Sequence, residues 1–200
     1  MSLLLFYRHA RAQIFTTNTL ATITGRSEMI DHNLLFFIAW IVLGWLTKIP
    51  MATTSHAVAN EFIRLAQEQD KQLTNMQLQK LVFIAQGYFL AIHNEPLHYH
   101  NAHAWQWGPV IPKLYKSLQK YGSNIVTEML DSEDQIRSGS REAEIIKAVF
   151  ENYGHYTGGQ LSTLTHRPRT PWSETWERKK FDVIDPQIIK KHYQTLIETA

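Results

Sequence analysis

Apolar residues of the central part of the chain recur at helical spacing. Val58, Phe62, Leu65 and Ala66 lie at i, i+4, i+7 and i+8, which predicts one helix with Ser55 as its N-cap. A second and wider apolar face follows, formed by Leu78, Leu81, Val82, Ala85, Tyr88, Phe89 and Ile92. This width predicts a central, largely buried helix.

Local signals define the two ends of that central helix. Thr74 and Gln77 form the T-x-x-Q pattern of a capping box, and Asn94-Glu95-Pro96 predicts the end of the helix. Gly87 lies in its interior, where it either lets another backbone approach closely or lowers helix stability.

The rest of the chain predicts further short helices. Three of them are indicated by their starts: Pro112 at a first helical position, Thr157 as a cap, and Asp185-Pro186. A fourth is indicated by the apolar face of Arg141–Tyr153. Leu97–Trp107 alternates loosely and predicts a short hairpin or an extended arm, whereas residues 123–140 predict a loop. Pro168, Pro171 and Trp172 indicate an irregular segment. The sequence therefore predicts a mainly α, compact single domain of about five or six helices with a small β-hairpin.

The first fifty residues have a different pattern. Leu34–Leu46 reads LLFFIAWIVLGWL without a charge, yet as a helix it would span only roughly 20 Å, short of the ~30 Å hydrocarbon core. Three interpretations are open: a short membrane anchor, a hydrophobic helix docked on the body or a partner, or an upstream in-frame start with Met51 as the true first residue. We favour the third, with residues 1–50 as an extension and 51–200 as the working domain. Membrane contact is expected only if residues 34–49 are retained as an anchor.

Charge and composition narrow the classes of function. The net charge of +2 comes from residues 1–50, which carry four basic and two acidic side chains, while residues 51–200 are neutral. Non-specific nucleic-acid binding thus lacks its usual driving force. The chain has no cysteine, which excludes disulfides and thiolate metal sites and is typical of a reducing compartment. We therefore expect a cytoplasmic protein.

The segment Trp105–Tyr115 is the strongest recognition signal in the sequence. It contains two Trp, one Tyr, one Gly and two Pro in eleven residues, with no nucleophile among them. Pro restricts the backbone and Gly relaxes it, so large rings are held on one particular bend. Trp105 and Trp107 would point the same way on an extended strand, so both could equally pack inward or face a partner. The segment favours function by contact.

Candidate catalytic and metal-binding residues are weakly supported. His98, His100 and His103 form H-x-H-x-x-H, but no acidic residue lies between them, so a polar arm is the favoured interpretation. Ser162, Thr165 and His166 lie close together without a G-x-S-x-G elbow, which favours capping or a bond to the Trp segment over catalysis. We expect no catalytic residue, no metal and no cofactor.

A basic stretch lies near the C-terminus and gives an alternative function. Arg167, Arg169, Arg178, Lys179 and Lys180 alternate with Trp172 and Trp176, a pattern that can hold single-stranded nucleic acid. Glu174 and Glu177 interrupt it, so a solvated face is favoured, followed by an acidic protein partner. A nucleic-acid-binding regulator that uses residues 167–180 is the second hypothesis, and a hydrolase that uses Ser162 or Thr165 with His166 is the third.

An ordered set of motifs carries a family resemblance over about residues 56–198. The set comprises Ala59–Ile63, Leu73–Leu81, Ala85–Tyr88, Pro96-Leu97, Ala104–Val110, Leu114-Tyr115, Tyr121-Gly122, Leu161–His166 and Pro171-Trp172. Together these motifs resemble the Panacea domain, the SocA-like antitoxin family of phage-associated proteins. The extension before Met51 and the His-rich arm depart from the family pattern.

The resemblance implies a helical antitoxin that is encoded beside a toxin and neutralises it by direct binding, with delivery of the toxin to a protease as a variant. Its partners would be a cognate toxin protein and, in that variant, a protease. The resemblance implies no enzymatic active site in this chain. The residues expected to bind the partner or to form the motif scaffold are Trp105, Trp107, Gly108, Pro109, Tyr115, Thr165, His166 and Trp172.

Overall fold

The computed structural model describes residues 52–199, so the predictions for residues 1–50 lie outside the described residues. This part contains seven helices: α1 (Ser55–Gln67), α2 (Asn75–His93), α3 (Pro112–Leu118), α4 (Arg141–Tyr153), α5 (Gly158–Thr165), α6 (Pro171–Arg178) and α7 (Pro186–Glu198). The strands β1 (His103–Trp105) and β2 (Gly108–Val110) lie between α2 and α3, and a 3-10 turn spans Gln119–Tyr121. The predicted mainly α fold with a small hairpin is confirmed.

Helix α2 is the centre of the fold. It contacts α1, α3, α4, α5, α7 and β2, and its residues are buried from Leu78 to Leu90. The predicted capping box is confirmed, because the Thr74 side chain accepts from the Gln77 backbone and the Gln77 side chain accepts from the Thr74 backbone. Asn94 ends the helix in the left-handed region at φ 58°. A helix with apolar residues on every side is stable only when other elements surround it, as they do here.

Gly87 of α2 makes room for Tyr193 of α7. A Cβ at this position would lie 2.2 Å from Cε2 of Tyr193, a contact that real side chains do not make. The sequence left open a close backbone approach or only a loss of helix stability; the structure instead shows the close approach of an aromatic side chain. The absence of a side chain at Gly87 lets Tyr193 lie against α2, only 5% exposed.

Strands β1 and β2 form an antiparallel hairpin in which His103, Ala104 and Trp105 pair with Val110, Pro109 and Gly108. The connection between α6 and α7 covers the free edge of β1, since Phe181 N donates to Ala104 O and Ala104 N donates to Asp182 O. Gln106 and Trp107 form the turn. Because Trp107 lies in the turn, its side chain does not follow the alternation of side chains along the strand. The interpretation that places both Trp side chains inward is therefore wrong.

Two sequence predictions at helix starts are also wrong. Thr54, not Ser55, is the N-cap of α1, and Ser55 is a buried residue of the first turn. The irregular segment predicted at Pro168, Pro171 and Trp172 is present at Pro168, in the turn between α5 and α6, but the prediction is wrong for Pro171 and Trp172, because Thr170 caps α6 and Pro171 occupies its first position. Proline has no N–H to donate there, and a first-turn N–H has no helical acceptor, so Pro171 starts this helix instead of breaking one.

The predicted loop over residues 123–140 is confirmed, and α1 holds it in place. Asn60 exchanges two hydrogen bonds with the backbone of Leu130, and Asp134 accepts from the backbone N–H of Thr54. None of the helices within residues 52–199 has the length and apolar character that crossing a membrane requires.

Candidate functional site

Side chains from three helices fix the hairpin by its backbone carbonyls. The Trp105 carbonyl accepts from Nε1 of Trp172 at 2.7 Å, and the Pro109 carbonyl accepts from Nζ of Lys80 at 3.1 Å. The Trp107 carbonyl accepts from the Ser162 hydroxyl at 3.1 Å, and Nε2 of His166 lies 3.2 Å from the Gln106 carbonyl. The turn is thus held in one conformation by bonds that do not use its own side chains.

Ser162, Thr165 and His166 serve this support. The Thr165 hydroxyl donates to backbone carbonyls within α5, and His166 is the C-cap residue of the same helix. Both ring nitrogens of His166 face carbonyl oxygens, with Nδ1 2.6 Å from the Ser162 carbonyl. The ring of His166 also lies 3.8 Å from that of Trp172, between centroids. The Ser162 hydroxyl also lies 3.2 Å from Nδ1 of His166, but Nδ1 lies nearer to the Ser162 carbonyl and the hydroxyl donates to the Trp107 carbonyl. These contacts favour the scaffold interpretation of Ser162 and His166 over the hydrolase hypothesis.

A groove of about 600 Å³ lies beside the hairpin, which we call the hairpin groove. It is lined by the first two turns of α2, the hairpin, α3 and the segment after α6; the lining residues are Thr74, Asn75, Met76, Gln79, Lys80, Trp105, Gln106, Trp107, Val110, Tyr115, Gln119, Gly122, Ser123, Gly158 and Phe181. Most of its surface is apolar.

Three large apolar side chains of the hairpin groove are exposed to solvent. Trp107 is 66% exposed, Phe181 58% and Met76 39%. Phe181 also has a φ of 64°, a left-handed conformation that bulky residues rarely adopt. Strained backbone and grouped exposed apolar side chains are typical of binding surfaces. We call Met76, Trp107 and Phe181 the apolar rim.

The floor of the groove is polar and buried. Lys80 is 1% exposed, and burial lowers the pKa of its ammonium group to about 7. Gln79 is 2% exposed; its Oε1 accepts from the Ile111 N–H at 2.9 Å, while its Nε2 has no hydrogen-bond partner among residues 52–199. The bond to Ile111 fixes the orientation of this amide, so an unused donor lies at the floor.

The structure brings most of the sequence-predicted site residues together around the hairpin. Trp105 is half-buried with its ring 5.2 Å from that of Tyr115, and both line the groove. Gly108 has φ 103°, and a Cβ there would lie 2.8 Å from Cε of Lys80, so glycine is required by both backbone and space. Pro109 and Trp172 are buried in the scaffold. Of the predicted set, only Trp107 is largely exposed.

The histidines of the predicted arm do not converge. His98 is buried, its pKa is lowered to about 3 by burial, and its ring centroid lies 6.4 Å from that of His100. His103 lies in β1 with Nδ1 3.3 Å from the Phe181 carbonyl. Within residues 52–199 no three His, Asp or Glu side chains are grouped as metal ligands would be.

The basic stretch of residues 167–180 has few free aromatic faces. Its cationic side chains are exposed, but Trp172 is buried and stacks on the half-buried Trp176 at 5.4 Å. The ammonium of Lys180 lies 5.4 Å from the Trp176 ring. Base stacking needs an open ring face, so this arrangement offers little support for the nucleic-acid hypothesis.

Among the groove residues that sequence reasoning missed are Met76, Gln79, Lys80 and Phe181. A signal for Lys80 was present, because it lies in a helix with apolar residues on every side and has no solvent-facing side available. Phe181 follows Lys179 and Lys180 outside any periodic pattern, and nothing in the sequence indicates its exposure.

Comparison with known proteins gives two matches. The family model described as "Antitoxin SocA-like, Panacea domain" matches residues 78–173, which include most of α2, the hairpin and the start of α6. The chain is also 30% identical over 136 residues to "Antitoxin SocA" of Caulobacter vibrioides (strain NA1000 / CB15N). That alignment covers 64% of this chain and 72% of the relative. No solved structure matches the chain.

Proposed function

This chain belongs to the SocA-like antitoxin family with the Panacea domain, and from that membership we propose that it neutralises a cognate toxin by direct binding at the hairpin groove. The similarity to an antitoxin supports an antitoxin role. The proposal adds the mode of action and the surface: the toxin contacts the apolar rim and is masked there.

The observation that carries the proposal is the exposure of the apolar rim beside a rigid hairpin. Burying an exposed Trp or Phe in a partner removes a large apolar area from water, and the entropy lost on binding is small when the backbone is already fixed. Trp is also over-represented among residues that dominate protein interfaces. The rim combines these properties, whereas the scaffold residues behind it are buried.

Expression of the protein encoded next to this chain, alone and together with it, tests the proposal. We expect the neighbouring protein to inhibit growth alone and to be harmless when this chain is present. The proposal fails if the neighbour is harmless alone or remains equally harmful in the pair. The half-life of the neighbour with and without this chain then separates masking from delivery to a protease, since only delivery shortens it.

Trp107→Ala tests the surface. We expect it to weaken the complex by roughly 30-fold or more, the effect of removing a dominant interface side chain, and to leave the stability of the free protein nearly unchanged. Tyr99→Ala is the matched control, because Tyr99 is 60% exposed and lies outside the hairpin groove. Equal affinities of the two variants, measured by titration calorimetry, would place the toxin elsewhere on the surface.

A further inference from the structure

The floor of the hairpin groove holds the amino group of Lys80 with no carboxylate beside it among residues 52–199. Lys80 donates to the Pro109 carbonyl, and this is the one acceptor for its ammonium group among residues 52–199. No Asp or Glu lines the groove within that range. A buried ammonium group normally has an anionic partner, because neutral carbonyls replace its lost hydration only in part.

Two further features of the floor bear on the ligand. The unused Nε2–H of Gln79 is a donor and needs an acceptor, while Oδ1 of Asn75, another lining residue, is an acceptor without a partner within residues 52–199. Thr74 and Asn75 place the N-terminal end of α2 at the groove, and no acidic side chain lies in the first turn of that helix. The positive end of its dipole is therefore not offset by a carboxylate of the first turn.

The walls of the groove indicate what surrounds that negative charge. Trp107 and Phe181 are each more than half exposed, so they extend beyond the floor into solvent. A small ion on the floor would leave both rings in water. A polypeptide segment covers rim and floor together, provided that apolar side chains flank its charged group.

Resting on the proposed function, we propose that the toxin inserts an acidic side chain, flanked by apolar residues, into the hairpin groove, where its carboxylate accepts hydrogen bonds from Lys80 and Gln79. The apolar flanks pack against Met76, Trp107 and Phe181. The floor then discriminates in favour of segments with a carboxylate, and the rim contributes most of the contact area.

Lys80→Met tests the charge while it keeps the length of the side chain. We expect the complex with the neighbouring protein to weaken by at least about 30-fold, the usual effect of removing one member of a buried ion pair at an interface. Lys113→Met is the control, since Lys113 is an exposed lysine of α3 outside the groove, and its affinity should stay within about twofold of wild type. Equal affinities of wild type and Lys80→Met would overturn the inference and leave the proposed function standing.

Proton uptake on binding is a second measurement, made on wild type and on Lys80→Met. Burial lowers the pKa of Lys80 to about 7 in the free protein, and a carboxylate beside it would raise that pKa. Binding at pH 8 should therefore take up close to one proton, measured by calorimetry in buffers of different ionisation enthalpy. The other titratable groups nearby are Tyr115 of α3 and His166, which lies close to Gly108 as Lys80 does. Lys80→Met retains both, so uptake that persists in this variant would overturn the assignment to Lys80.

Replacement of each Asp by Asn and each Glu by Gln in the neighbouring protein identifies the partner carboxylate. We expect one replacement to weaken binding to wild type strongly and to have little further effect on binding to Lys80→Met, because the two changes remove the same pair. If none of the acidic side chains is coupled to Lys80, the inference is wrong even though the complex forms. If wild type does not bind the neighbouring protein at all, the proposed function and the inference fall together.

Discussion

Two aromatic clusters contact α2, and they differ in whether their groups already have partners. In the first, Tyr193 lies against Gly87 and its ring is 4.8 Å from that of Tyr88, whose hydroxyl is 2.8 Å from the Tyr153 hydroxyl. In the second, around the hairpin, Trp107 is exposed and Lys80 has one neutral acceptor. We call them the closed and the open cluster. The difference teaches that the closed cluster stabilises the fold, while the open one leaves a Trp side chain in solvent and a buried amino group without an anionic partner among residues 52–199, which is why we propose it as the binding surface.

Gly87→Ala is expected to have the largest effect, and it acts on the closed cluster. The new methyl group would overlap the ring of Tyr193, so α7 must shift away from α2, with a loss of about 3 kcal/mol in the free energy of unfolding. Urea denaturation measures it. Gly159→Ala is the control: Gly159 is an exposed residue of α5 with room for a methyl group, and the change should raise stability by up to about 1 kcal/mol. A Gly87→Ala protein as stable as wild type would show that the closed cluster is loosely packed.

The pH dependence of stability is the next largest expected effect, and it acts on the open cluster. The pKa of Lys80 is about 7 in the folded protein against 10.5 for an ordinary lysine, so the unfolded chain binds more protons between these values. Stability therefore rises with pH, and from pH 6 to pH 9 Lys80 accounts for an increase of up to about 2.5 kcal/mol.

Lys80→Met lacks this contribution. Denaturation of both proteins at pH 6, 7.5 and 9 should show the variant gaining most over wild type at pH 6, where the buried charge of Lys80 is complete. A stability difference that stays constant over this pH range would mean that Lys80 keeps its charge throughout, and the floor would then be better solvated than its burial indicates.

The hydroxyl pair of the closed cluster gives the smallest of these effects. Tyr153→Phe leaves the Tyr88 hydroxyl without its partner and should lower stability by about 1 kcal/mol. The double variant Tyr88→Phe, Tyr153→Phe removes both hydroxyls and should recover most of that loss. Equal stability of single and double variants would indicate that water replaces the missing hydroxyl, so that the cluster is less closed than its geometry suggests.

The helices were largely predictable from the sequence, because their signals are local, whereas the contacts of the closed cluster join distant segments such as Gly87 and Tyr193 and were not predicted. The Thr74–Gln77 capping box, the Asp185-Pro186 start and the apolar face of Arg141–Tyr153 each lie within a few residues of the structure they determine. Helix α6 was missed because proline predicts an interruption unless its position relative to the cap is known.

The open cluster was only partly predictable. The motif residues of the hairpin were found, but their division into exposed and buried was not, since strand alternation does not extend through the turn at Trp107. Phe181 reaches the groove through pairing between the α6–α7 connection and β1, and such contacts between distant segments leave no periodic signal. Predicting the burial of Lys80 required knowing that other elements surround α2 on every side.

The way the hairpin turn is anchored has a consequence for how partner choice can evolve. Lys80, Ser162, His166 and Trp172 hold it through carbonyl oxygens, which every amino acid supplies, proline included. The identities of residues 106 and 107 are thereby uncoupled from the bonds that shape the loop. Under the proposed function, substitutions at these two positions, by drift or in a combinatorial library, would retarget the same framework to another toxin without a new architecture.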